Sequence, residues 1–190
     1  MISLKLIVFL VFVYVADTQT TTESETVVEL KSRIEALQRE LDAIKQHLKT
    51  AVAFSATLQT QKPHEFLGPF NENQKLKYEN VITNVGNAYN PNTGIFTVPV
   101  KGIYFFTFVL FNPIGNNHPT GGQLMKNTEM VVSATDNIPG TDTEDTTSNS
   151  VTLDLEVSDT VYIQMESGRA IYTDGNRRNT FSGHLIHTSE

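Results

Sequence analysis

The sequence predicts an all-β head, a sandwich or jelly roll of about ten short strands, behind an α-helical coiled coil. Three observations carry the prediction. From residue 51 onward, short segments of alternating apolar residues are separated by clusters of Gly, Pro and Asn. Before that point, apolar residues recur at alternating spacings of three and four over 27–51. Between them in character stands Gly102-Ile-Tyr104-Phe-Phe106-Thr-Phe108, with an aromatic ring at every second position after one glycine. Side chains alternate faces along a strand, so this is a strand with one aromatic face.

The chain is expected to open with a leader. Residues 1–16 hold one charge, Lys5, ahead of an apolar run from Leu6 to Ala16, and polar residues follow at once. This is the pattern of a secretory signal peptide, so the protein is expected to be secreted and extracellular. The run is shorter than the roughly 18 apolar residues of a membrane span, so no membrane span is expected. Cleavage after Ala16 leaves bulky Tyr14 at −3, whereas cleavage after Thr18 puts Ala16 there. Both sites stay open. Residues 17–26, Asp-Thr-Gln-Thr-Thr-Thr-Glu-Ser-Glu-Thr, have no apolar period and read as a disordered polar linker.

The coiled coil follows at 27–51. Val27, Leu30, Ile34, Leu37, Leu41, Ile44, Leu48 and Ala51 form an unbroken a/d seam without Pro or Gly. Glu40 and Lys45 fall at g and the following e, where they can pair between helices. At 1.5 Å per residue the rod is about 37 Å long. The strict two-position stripe is narrower than that of a helix folded onto its own domain. The seam mixes Val, Ile and Leu and lacks a buried Asn, so it does not choose between two and three strands.

The head occupies 52–190. Strands are expected at 52–58, 78–85, 95–98, 102–111, 122–126, 129–135, 150–157, 160–166, 169–173 and 181–187. Turns are expected at Gly68-Pro69, Asn90–Gly94, Asn112–Asn117 and Pro139-Gly140.

A longer spacing surrounds the aromatic strand. Tyr78, Asn84, Tyr89, Phe96, Gly102, Tyr104, Phe106 and Phe108 stand at intervals of six, five, seven, six, two, two and two. This run resembles the signature of the complement C1q globular-head family, which usually opens on Phe where this chain has Tyr78. Ser148–Leu155 and Thr180–Ile186 also resemble the family, and its Gly-Asp before the penultimate core strand appears as Ser158-Asp159. The resemblance covers about residues 52–190. It implies a ten-stranded jelly roll of the C1q/TNF-like kind, and heads that associate as trimers. A parallel three-stranded stalk matches that expectation. The partner is thus first of all a second and third copy of this chain, or paralogues in a mixed trimer.

Composition narrows the function. Without Cys there is no disulfide, thiol nucleophile or cysteine-bound zinc. The formal charge of −7 argues against nucleic acid, which rewards clustered basic charge. Eleven glycines without a Gly-x-y repeat exclude a collagen stalk. No Gly-x-Ser-x-Gly, His-Glu-x-x-His or phosphate loop occurs, so an enzyme is not expected. His184 and His187, three apart in the last strand, are expected on opposite faces.

Two loops are candidate sites. Asp136, Asp142, Glu144 and Asp145 make 136–145 acidic, and calcium takes oxygen ligands of this kind. Some members of the resembled family bind calcium near the trimer axis, and Asp145 with Asp136 matches that position. A solvated acidic loop is the simpler reading. Asp174, Asn176, Arg177 and Arg178 make 174–180 the most charged exposed turn of the head, suited to a receptor or an anionic surface. A solvated loop tip is the simpler reading there too. The signature aromatics are expected in the core rather than at a ligand. The function implied is a secreted, multivalent binding protein that recognises microbial or other repetitive surfaces in innate immunity. A cerebellin-like ligand of cell-surface receptors is the second expectation, and a tumour-necrosis-factor-like cytokine the third.

Overall fold

A computed structural model describes residues 4–49, 51–58, 64–113, 117–137 and 144–189. Two units make up the chain, Met1–Lys49 and Thr50–Glu190.

The first unit is one helix, α1, Leu4–Lys49. It continues through 17–26, the stretch expected as a disordered linker, because no Pro or Gly between 4 and 49 interrupts its hydrogen-bond ladder. Val27, Leu30, Ile34, Leu37, Leu41 and Ile44 are 49–63 % exposed along it. The side chain of Leu48 lies outside the described residues. Arg33 Nη2 donates to Glu29 Oε1 at 2.9 Å and Lys45 lies 3.8 Å from Asp42, both on the exposed flanks. Among the described residues no helix is long and apolar enough to cross a membrane.

The second unit is a β-sandwich of thirteen described strands. They are β1 Ala53–Thr57, β2 Glu65–Leu67, β3 Gln74–Lys75, β4 Asn80–Val85, β5 Tyr89–Asn90, β6 Ile95–Thr97 and β7 Gly102–Pro113. Then follow β8 Thr120–Lys126, β9 Glu129–Asp136, β10 Glu144–Leu155, β11 Thr160–Met165, β12 Ile171–Thr173 and β13 Thr180–Thr188. One sheet runs β10-β7-β13-β1-β4; the facing sheet runs β5-β6-β11-β8-β9, with β3 also paired to β11. β12 and β2 form a small separate ribbon. All pairings are antiparallel.

Three strands beyond the expected ten, β2, β3 and β5, have two or three residues each, too few to show a period of two. β10 starts at Glu144 rather than near 150, because its polar first half pairs in register with β7 from Pro113 to Val109. Pairing with a neighbour, not apolar alternation, makes that half a strand.

The core lies between the two larger sheets. Tyr78, Tyr104, Phe96, Phe106, Phe108 and Phe181 are fully buried. Phe54 stacks on Tyr89 at 4.7 Å and on Phe96 at 5.1 Å, and meets Phe181 edge-on at 4.8 Å. The long spacing of the signature now has a physical cause. Asn84 Nδ2 donates to the Tyr89 carbonyl at 2.8 Å, and Tyr89 N donates to Asn84 Oδ1 at 3.2 Å. This pair closes the turn through Gly86 and Asn87, both at positive φ. The Tyr89 hydroxyl in turn donates to the Tyr78 carbonyl and accepts from the Tyr78 N–H, each at 3.1 Å. Gly102 is required by close approach: a Cβ there would lie 2.4 Å from the His187 carbonyl oxygen.

Tyr78 carries the cost of its extra oxygen. Among the described residues its buried hydroxyl has no hydrogen-bond partner. A buried unpaired hydroxyl costs about 1–3 kcal/mol. Tyr78→Phe is therefore expected to raise stability by about 1 kcal/mol or more, measured by chemical denaturation. A clear loss of stability would show that the hydroxyl is satisfied after all.

Ser158 stands where the resembled signature has Gly, and its φ is 75°. Asp159 holds this turn together: its Oδ1 accepts from Asn127 Nδ2 at 2.8 Å and its Oδ2 lies 3.1 Å from Lys126 Nζ. The Asn127 hydrogen bond is the largest of the effects that hold the Asp159 carboxyl below its ordinary range.

Candidate binding site

The turn after β12 is built from its own polar groups. Asp174 is buried, and its Oδ1 accepts from Asn176 N at 3.0 Å. Its Oδ2 accepts from Asn176 Nδ2 at 2.8 Å and lies 3.5 Å from Arg178 Nε. The Arg178 guanidinium also sits 4.1 Å from the centre of the Phe111 ring. One step on, Asn179 is buried and ties three elements together. Its Nδ2 donates to the Tyr172 carbonyl at 2.7 Å, its Oδ1 accepts from Phe111 N at 2.8 Å, and its carbonyl accepts from Leu58 N at 3.1 Å. Of the four residues expected to bind, Asp174, Asn176 and Arg178 thus form one cluster. Arg177 is exposed, on a backbone held at φ 59°. The sequence gives no sign that Asn179 is the anchor, because a buried Asn in a polar run looks like any loop residue.

The acidic stretch is divided. Asp136 ends β9 opposite Thr120, and Asp145 lies within β10 opposite Asn112. Asp136 Oδ1 accepts from Asn137 N at 2.8 Å. Asp142 lies outside the described residues, as does the Glu144 side chain. Calcium takes six to eight oxygens. Among the described residues no three His, Asp or Glu side chains come together to hold a metal, and two carboxylates on two strand ends do not fit the ion by themselves.

The outward face of the five-stranded sheet is different in kind from the rest of the surface. It carries a concavity of about 490 Å³, lined by small side chains such as Ala53, Ser55 and Ser182 together with Phe105 and His184. Ser55 Oγ and Ser182 Oγ are hydrogen-bonded at 2.9 Å. Of the described side chains its strands turn outward, only Asp154 is a formal charge. The opposite sheet covers its outer face with charged groups of its own. Lys75 Nζ sits 4.0 Å from the Tyr162 ring, and the Arg169 side chain lies across Gly121. A further hollow of about 300 Å³ has Leu58, Leu67, Phe70 and Leu76 in its lining and Lys75, Lys77, Glu65 and Glu79 around them.

His184 and His187 do not obey the expected alternation. The register between β13 and β7 shifts between Leu185 and His187, so Ile186 bulges out and is 52 % exposed. His184 then faces Phe105 and His187 faces Ile103. Phe105 and Ile103 are two apart on one strand and share the outward face, so both imidazoles do too. The ring centres of His184 and Phe105 are 5.6 Å apart.

Comparison with known proteins agrees with this architecture. The C1q domain family matches residues 53–186. Complement C1q tumor necrosis factor-related protein 3 of Mus musculus is 33 % identical over 135 residues, which are 71 % of this chain and 51 % of that protein. The chain therefore spans about half the length of that relative. Among solved structures, the globular domain of a zebrafish complement 1qA protein is similar at 20 % identity and TM-score 0.54, covering 73 % of this chain and 99 % of that one. The Eiger TNF of S. frugiperda is similar at 11 % identity and TM-score 0.58, covering 74 % and 95 %. Both likenesses show a C1q/TNF-like jelly roll. With the family matched over most of its length and the fold shared, this chain belongs to the C1q domain family.

Proposed function

We propose that this protein is a secreted homotrimer without enzymatic activity that binds repetitive surfaces, microbial ones first, through loops repeated three times. The observation that carries the reading is the outward face of the five-stranded sheet. Fully solvated sheet faces are normally rich in charge, whereas the centres of interfaces are depleted of it. A nearly uncharged face with an apolar hollow, in a chain of net charge −7, suits burial against copies of itself. The exposed seam of α1 supports the same valency. Three linked heads raise avidity by orders of magnitude when their sites can be engaged together.

Within this reading Arg177 is the contact residue, and Arg178 belongs to the scaffold that presents it. Arg177→Ala is expected to weaken binding to anionic bacterial glycans with no change in melting temperature. Arg178→Ala is expected to lower the melting temperature, through loss of the contacts to Asp174 and Phe111. The decisive assay sets the full chain against bacterial surface glycans and an array of receptor ectodomains. Binding to receptors alone would replace the surface-recognition reading with that of a cell-surface ligand. Calcium at Asp136 and Asp145 belongs to the reading only where the assembled head supplies further oxygens. Equal melting temperatures with calcium and with chelator would refute it.

A further inference from the structure

The bulge at Ile186 has brought two imidazoles onto the face proposed for self-association. His184 stands at the rim of the apolar hollow against Phe105, and His187 lies along the same strand over Ile103. Both are exposed in the single chain. We infer that the heads associate through His184 and His187 in a pH-sensitive way, held together near neutrality and loosened by mild acid. The inference rests on the trimeric reading above.

The chemistry is that of desolvation. Histidine side chains as a class gain their proton between about pH 5 and 8. A neutral imidazole packs on an aromatic ring at little cost, whereas burying an imidazolium without a partner is unfavourable. Association covers both side chains, so it favours their neutral form. Stability of the assembly is therefore present above the imidazole range and is lost as pH falls through it. Three copies would place six such groups in the assembly, and their charging adds repulsion.

The described face holds one countercharge. From β10 it presents Asp154, which stands across Ile103 from His187, two strands away or about 10 Å. Ile103 stands between the two in the register. Lys101 and Glu156, 3.5 Å apart, are engaged with each other near the start of β7. The outward residues of β7, β1 and β4 beside the two imidazoles, Ile103, Phe105, Ala53, Thr83 and Val85, carry no charge.

The test uses the full chain. Sedimentation velocity at about pH 7.5 reports the assembly, and thermal melting at about pH 7.5 and 5.5 reports the heads. The expected result is a trimer whose melting temperature falls on acidification. The double variant His184→Gln with His187→Gln, which cannot titrate there, should lose that fall. His184→Phe alone provides a second variant with an apolar ring against Phe105. A monomer at neutral pH would overturn the trimeric reading itself. A trimer whose melting ignores acid, or one whose acid sensitivity survives in both variants, would overturn the histidine switch and leave the trimer standing.

Discussion

Phe106→Ala is expected to destabilise the head by about 3–5 kcal/mol, the range for deleting a large buried ring. The ring is fully buried. It meets Phe96 edge-on at 5.3 Å and lies against Tyr104 at 6.2 Å and Phe181 at 6.3 Å. Phe54 lies 6.4 Å away, and a Cβ at Gly183 would come within 2.4 Å of the Phe106 ring. The ring therefore fills the space that a side chain at 183 would need. Burial of the ring alone contributes about 2–3 kcal/mol, and the residual cavity accounts for the rest. Equilibrium unfolding in urea measures the change. A loss below about 1 kcal/mol would mean that the aromatic layer repacks freely, contrary to the geometry.

The second large effect is alkaline unfolding. Burial pushes the Tyr89 phenol up to about 12, with its hydrogen bond to the Tyr78 backbone opposing and Glu79 adding to the rise. Burial first, and then the Tyr89 phenol beside it, pushes Tyr78 well above the ordinary range. Burial raises Tyr104 as well, against the hydrogen bond it donates to the Val100 carbonyl at 2.7 Å. In the unfolded chain each phenol ionises near pH 10. The folded state keeps them neutral, so their contribution is whole below about pH 10 and is lost as pH rises through the folded values. The expected result is a cooperative loss of the β-sheet circular dichroism between about pH 10 and 12, accompanied by delayed appearance of phenolate absorbance. Complete tyrosine ionisation near pH 10 with the sheet spectrum intact would falsify this.

Much of the fold was legible because its signals are local. The seam at 27–48 and the alternation at 102–108 follow directly from the two periods of helix and strand. Composition at Asn90–Gly94 marks a turn, and Gly94 there adopts φ 74°. The signals failed where pairing partners decide. Thr146, Thr147 and Ser148 look like loop residues, yet β7 makes them a strand. Asp145 was expected in a loop and lies in that strand too. The candidate turn was located by its charges, but their roles were not visible. Asp174 and Arg178 differ from Arg177 through their contacts with each other, with Asn176 and with Phe111.

By itself the sequence determined the family of this protein, its helical seam and its aromatic core, since each is written in spacing along the chain. The tertiary structure decided what each surface can do. It engaged Arg178 and left Arg177 exposed, and it left the Tyr78 hydroxyl without a partner among the described residues. By slipping the register of one strand at Ile186, it also turned two histidines to the same side. The physical reason is common to all three. Burial, hydrogen-bond satisfaction and facing depend on which strand lies alongside, and that neighbour can be 81 residues away, as Tyr104 is from Leu185.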